Sequence, residues 1–187
     1  MSKGRVITGP QRLALTIERL CQQLIEQHGT FEHTCLIGIQ PRGVYLAERL
    51  HRELLRLTGA PQLAFGKLDI TFYRDDFRTR NKPLSASRTE IDFLVENKAV
   101  ILVDDVLYTG RTVQAALTAL NHYGRAEKVE LLTMVDRRFN RHLPVQADYV
   151  GITVDAVDKA FVRVEWEEQN GEDRILIFAD KKDLEEH

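Results

Sequence analysis

Cysteine, tryptophan and long apolar runs are scarce in this chain, and each scarcity excludes a class of protein. Two cysteines, Cys21 and Cys35, occur among 187 residues. Both lie inside apolar patterns without Cys-x-x-Cys spacing, so buried thiols are expected in place of a disulfide framework or zinc ligands. The six histidines show no metal-ligand spacing and His-Glu-x-x-His is absent, so no structural metal is expected. The longest apolar stretches, such as Ala99-Val-Ile-Leu-Val103, fall far short of the roughly 20 residues that span a bilayer. The first ten residues hold no apolar signal core. A cytoplasmic protein without a membrane partner is the expectation.

Charge of one sign is also missing overall. The net charge is −2, which argues against a protein that coats nucleic acid generally. Its distribution is uneven: residues 165–187 carry a net −6, which leaves +4 on residues 1–164. A mildly cationic body suits small phosphate ligands better than a long nucleic-acid track. With 43% apolar residues in one domain's length, a single domain over residues 1–187 is expected.

Apolar periodicity then lays out the elements. Leu13, Ile17, Leu20 and Leu24 mark one face of a helix ending near Gly29. Residues 35–39 read as a strand buried on both faces. The loop Gln40-Pro-Arg-Gly43 leads into a second helical stripe through Leu46, Leu50, Leu54 and Leu57, ending near Gly59. Strands are expected at 63–73, 99–103, 129–135 and 149–152, and a helix at 112–123 closed by Gly124. Alternating strands and helices of this kind imply an α/β fold with a mostly parallel central sheet. Segments 161–166 and 174–178 are expected to pair as an appended antiparallel hairpin, roughly 160–179, across Gln169-Asn-Gly171. Between the strands, residues 74–97 form a long polar loop with five basic side chains, Arg74, Arg78, Arg80, Lys82 and Arg88. Loops of such length are commonly lids or binding segments.

The segment Val100-Ile-Leu-Val-Asp-Asp-Val-Leu-Tyr-Thr-Gly-Arg-Thr112 carries the chemistry. An apolar strand delivers Asp104 and Asp105 to its carboxyl end, where open α/β sheets bind ligands, and both carboxylates are expected to be exposed there. Thr109, Gly110 and Thr112 follow just before a helix, where backbone N–H groups and hydroxyls suit a phosphate. Carboxylates do not attract phosphate, so the aspartates suit sugar hydroxyls, directly or with a divalent cation. A ribose 5-phosphate satisfies both halves. An NTPase reading would need a phosphate loop elsewhere, but Gly38-Ile-Gln-Pro-Arg-Gly43 continues Val-Tyr and lacks the lysine and magnesium hydroxyl. A purely structural reading would make Asp104 a helix cap and Asp105 a surface charge.

This segment resembles the phosphoribosyl diphosphate (PRPP) signature of type I phosphoribosyltransferases. Together with Gly38-Ile-Gln-Pro-Arg-Gly-Val-Tyr-Leu-Ala47, Leu68-Asp-Ile-Thr-Phe-Tyr-Arg-Asp-Asp76, Val135-Asp-Arg137 and Ala147-Asp-Tyr-Val-Gly151, the chain resembles the PyrR family nearly end to end. The resemblance implies a type I phosphoribosyltransferase fold with a small hood. It implies transfer of ribose 5-phosphate from PRPP to uracil, giving UMP and pyrophosphate, with Mg2+ carried mainly by PRPP near Asp104 and Asp105. It further implies a homo-oligomer, dimer or higher.

The same resemblance distributes roles. Asp104, Asp105 and Arg42 are the expected catalytic residues. PRPP is expected to contact Pro41, Arg42 and Gly43, then Asp104, Asp105, Val106, Leu107, Tyr108, Thr109, Gly110, Arg111 and Thr112. Tyr73, Arg74, Arg78, Arg80 and Arg88 are the expected lid residues. Asp136, Arg137, Val162 and Val164 are expected to face the base. The family also includes RNA-binding regulators of pyrimidine operons. Here the places expected to offer basic or hydroxyl side chains to RNA hold Pro41, Gln146 and Ile152, so catalysis is favoured over RNA regulation, with Arg12, Arg19, Arg138 and Arg141 as remaining basic candidates. A purine phosphoribosyltransferase is the weaker alternative, since it shares the Asp-Asp loop but not the segment at 68–76.

Overall fold

The computed structural model describes residues 4–75, 86–155 and 160–179. Five parallel strands form the central sheet in the order β3-β2-β4-β5-β6. They are β2 (Thr34–Ile39), β3 (Ala64–Leu68), β4 (Ala99–Leu107), β5 (Lys128–Arg137) and β6 (Tyr149–Val154). Strand β2 is buried at every residue, with Leu36 in the core on one face and Cys35, Ile37 and Ile39 in the core on the other. That two-sided burial explains why its sequence reads as a continuous apolar run.

Helices α1 (Pro10–His28) and α2 (Gly43–Thr58) cover one face, and α3 (Arg111–Leu120) covers the other. The α1 stripe is as expected: Leu13, Ile17, Leu20 and Leu24 are buried, with Cys21 beside them. Each such side chain contributes about 1.5–3 kcal/mol on burial. Leu57 departs from the α2 stripe, since the last turn of the helix leaves it 37% exposed. Gly38 lets α2 approach β2 closely, because a Cβ there would lie 2.9 Å from both the Ala47 Cβ and the Val44 Cα.

A second, antiparallel sheet has the order β1-β8-β7, from β1 (Arg5–Thr8), β7 (Phe161–Glu165) and β8 (Arg174–Phe178). Its Val162, Val164, Trp166 and Ile175 join the core shared by α1 and α2. Strand β1 was not expected from the sequence. It is four residues long and half exposed, so it shows no apolar pattern, and its pairing with β8 is long-range.

Beyond differences of one or two residues at the ends of β5, β6 and β7, four features differ from the sequence reading. The strand expected at 63–73 ends at Leu68, because Asp69 Oδ1 accepts hydrogen bonds from the Thr71 N–H (3.2 Å) and hydroxyl (2.7 Å) and folds residues Thr71–Tyr73 into a 3-10 turn. Strand β4 runs four residues past Val103, its pairing with β5 continuing to Leu107 opposite Asp136. Helix α3 ends at Leu120 and continues as a 3-10 turn, Asn121–Tyr123. The β7–β8 connection is no two-residue hairpin: it contains the short helix α4 (Glu167–Asn170), closed by Gly171 at φ 79°. Among the described residues no helix is long and apolar enough to cross a membrane.

Candidate active site

The carboxyl ends of β2, β4 and β5 meet at one edge of the central sheet. Asp104 and Asp105 are each only 7% exposed there, which corrects the expectation of exposed carboxylates. The Asp105 N–H donates to Asp104 Oδ1 (2.9 Å), fixing one carboxylate against the backbone of the other. Burial, reinforced by the neighbouring Asp105 charge, holds the Asp104 carboxyl well above the usual carboxylate range. Asp105 is raised too, chiefly by burial, with the Arg42 charge opposing.

Arg42 connects this pair to two other elements. It sits at the turn between β2 and α2, and its Nε lies 2.8 Å from Asp105 Oδ2. The approach is an ion pair without hydrogen-bond geometry, so that buried oxygen keeps an unfilled acceptor position. Arg42 Nη2 donates to the Val164 carbonyl in β7 (2.6 Å). Gly43 is required beside it, since a Cβ there would sit 2.3 Å from the Val103 carbonyl oxygen. The turn also contains the cis Gln40–Pro41 peptide, and Pro41 itself is exposed.

The loop expected to hold phosphate follows β4. Gly110 has φ 91°, a left-handed conformation that glycine adopts without strain, and it precedes the first turn of α3. The first N–H groups of that helix lack intrahelical partners, as at any helix N-terminus. Thr109 Oγ1 accepts from the Arg111 N–H (3.4 Å), and the Arg111 guanidinium pairs with Asp75. The expected ligand residues Val106 and Leu107 turn their side chains into the two cores, so only their backbone is available.

At the end of β5, Arg137 lies over the Tyr108 ring, its guanidinium carbon 3.8 Å from the centroid. Its Nε is buried without a hydrogen-bond partner. Asp136 accepts from Arg141 Nη2 (2.6 Å). Val162 and Val164 are buried in the core, which leaves backbone groups for any base. Of the expected lid residues, Tyr73 lies tilted against the His122 ring with centroids 5.6 Å apart, Arg74 follows it, and the exposed Arg88 offers its carbonyl to Gln40 Nε2 (2.7 Å). Arg78 and Arg80 lie outside the described residues.

Two participants were missed in the sequence. Asp75 sits inside the Tyr-Arg-Asp-Asp segment but carried no signal of pairing with Arg111. Arg141 was read only as a candidate for RNA, because its contact with the phosphate loop crosses 33 residues. Among the described residues no three His, Cys, Asp or Glu side chains converge to hold a metal. A cation here would draw on Asp104 and oxygens of its own ligand, sharing Asp105 with Arg42.

A sheet-end carboxylate pair, a glycine-bent anion loop and an arginine turn define the phosphoribosyltransferase class, and the model of the phosphoribosyl transferase domain matches residues 7–169. The bifunctional protein PyrR of Elusimicrobium minutum is 38% identical over 179 residues, covering 96% of this chain and 99% of the relative. That of Enterococcus faecalis is 42% identical over 178 residues, with 95% and 97% covered. The chain belongs to the PyrR family of type I phosphoribosyltransferases. Solved structures share the fold: a hypoxanthine phosphoribosyltransferase of Staphylococcus aureus superimposes with TM-score 0.66 at 20% identity, over 89% of this chain and 87% of its own. That of Trypanosoma cruzi gives 0.68 at 15% identity, over 92% and 95%.

Proposed function

We propose that this protein is a uracil phosphoribosyltransferase that converts PRPP and uracil to UMP and pyrophosphate. The observation that carries the reading is the junction of Arg42 with Asp105 at the carboxyl end of β4, with the glycine-bent loop leaving that same end. That arrangement separates charges as the reaction requires. Asp104 and Asp105 would hold the ribose hydroxyls and favour positive charge developing at C1, while Arg42 would favour the negative charge of departing pyrophosphate. The backbone N–H groups of residues 109–113 would hold the 5-phosphate. Mg2+, which the family generally uses with PRPP, would neutralise pyrophosphate beside Asp104 and Asp105. Tyr73, Arg74 and Arg88 would exclude water during transfer, a role supported for Arg88 by its carbonyl's bond to Gln40 beside the Arg42 turn.

The name its relatives carry, bifunctional protein, supports a second role, which the resemblance drawn from the sequence implies is RNA binding. Against a strong role here stand the partners of the basic candidates. Arg19 Nη2 donates to the carbonyls of Val150 (3.2 Å) and Gly151 (2.5 Å), Arg138 is paired with Asp155, and Arg141 with Asp136. The reading therefore places catalysis first.

A panel of uracil, cytosine, hypoxanthine and guanine, incubated with PRPP and Mg2+, tests it by product identity. UMP with stoichiometric pyrophosphate is expected. IMP or GMP without UMP would replace uracil by a purine, and no transfer would refute the enzyme.

A further inference from the structure

We infer that Arg141, outside the expected catalytic set, is a positioning residue that sets the phosphate loop for the ribose 5-phosphate. The inference rests on the proposed phosphoribosyl chemistry for its ligand. Its structural ground is a brace behind the loop. Arg141 Nη1 donates to the Tyr108 carbonyl, and the N–H groups of His142 (2.9 Å) and Leu143 (3.2 Å) both donate to the Thr109 carbonyl. Arg141 Nη2 is in turn held by Asp136 Oδ1 at the end of β5 (2.6 Å), so the brace is anchored to the central sheet. Asn140, at φ 64°, turns the chain back immediately before it.

The consequence follows from peptide planarity. In a trans peptide the carbonyl and the next N–H point in opposite directions. Holding the Tyr108 and Thr109 carbonyls from behind therefore aims the N–H groups of Thr109 and Gly110 away from the brace, toward the side where α3 presents its first N–H groups. The side chains of Leu143 and Val145 pack behind Gly110, where a Cβ would come within 3.4 Å of both, and keep the loop from relaxing backward. A phosphate then meets N–H groups oriented before it arrives, so affinity is not reduced by ordering them.

Titration calorimetry on the full-length protein tests this with ribose 5-phosphate and with inorganic pyrophosphate as separate probes. Arg141→Ala is expected to weaken ribose 5-phosphate about tenfold, the size of one charged hydrogen bond, while pyrophosphate, held at the Arg42 turn, changes by less than about twofold. Arg141→Lys, which can reach the Tyr108 carbonyl or Asp136 but not fork between them, should fall between. In turnover the same variants should raise KM for PRPP with little change in kcat. Unchanged ribose 5-phosphate affinity would overturn the inference, as would equal weakening of both probes with a lowered Tm, which marks general destabilisation. Wild-type protein that binds ribose 5-phosphate but makes no UMP would instead refute the uracil reading and leave the brace standing. Wild-type protein that binds no ribose 5-phosphate would overturn both.

Discussion

Asp104 keeps its proton in the folded chain at pH values where the unfolded chain has already lost it, because burial and the adjacent Asp105 disfavour a second negative charge. Between the ordinary carboxylate range and its raised value the folded state thus binds more protons than the unfolded one. Stability must fall as pH rises through that window. Asp104→Asn removes this penalty without changing shape. The variant is expected to have a higher Tm than wild type near neutral pH and a flatter dependence of Tm on pH. Its turnover should fall roughly tenfold to a hundredfold, because positive charge developing at C1 would draw the proton off Asp104 in the wild type and the variant lacks that charged acceptor, worth about 1.5–3 kcal/mol. Thermal melts across pH with parallel rates check it; wild-type turnover in the variant would remove Asp104 from the reaction. The pair was legible in the sequence because two adjacent carboxylates at the end of an apolar strand are rare without a role. Their burial was not, since it depends on four further residues of β4 and on Arg42 reaching β7.

Among the elements, Arg49 ties the connection of the second sheet to the middle of α2. Arg49 donates to Glu168 Oε1 (3.0 Å) and Oε2 (2.7 Å) and to Asp173 Oδ1 (2.8 Å), and its guanidinium lies 4.9 Å from the Trp166 ring centroid. The Arg49 hydrogen bond holds Glu168 below the usual carboxylate range; at Asp173 burial pushes upward most strongly, and the Arg49 hydrogen bond and charge together with the Glu167 N–H overcome it. Both shifts are downward, so the tether's stabilisation is complete above the unfolded carboxylate range and is lost as pH falls below it. Trp166 is the chain's one tryptophan and is 1% exposed, which makes its fluorescence a reporter of the tether. Arg49→Ala should red-shift the emission at neutral pH, and acidification below about pH 4 should do the same in wild type. Unshifted emission in both would mean that apolar packing alone holds the sheet. Helices and central strands were legible here from period and burial. The end of β3, the α4 turn and β1 were not, because an Asx turn, a helical connection and a remote partner strand override local pattern.

Across the whole molecule, three of the four basic candidates for RNA are already engaged. Arg138 is paired with Asp155, Arg141 with Asp136, and Arg19 is bound to backbone carbonyls, so each would have to give up a partner to meet an RNA phosphate. Binding of a pyrimidine-operon leader should accordingly be weak, little better than a scrambled control, and shallow in its salt dependence, since each phosphate contact adds close to one unit of log–log slope. Titrations at two salt concentrations measure both quantities; tight, leader-selective binding that collapses with salt would show that these pairs open for RNA.

The pairing of β1 with β8 joins Arg5 to Ile177 and so closes the chain nearly end to end. During synthesis the central sheet has all five of its strands once β6 has been made, whereas β1 must wait for a partner about 170 residues behind it. At ribosomal speed that interval is on the order of ten to thirty seconds. A nascent chain halted after Val154 would therefore carry the anion loop and carboxylates but not the Val164 carbonyl that Arg42 holds. Assembly on the ribosome thus runs from the carboxylate pair and the glycine-bent loop to the contact of Arg42 with β7, which forms only with the last strands.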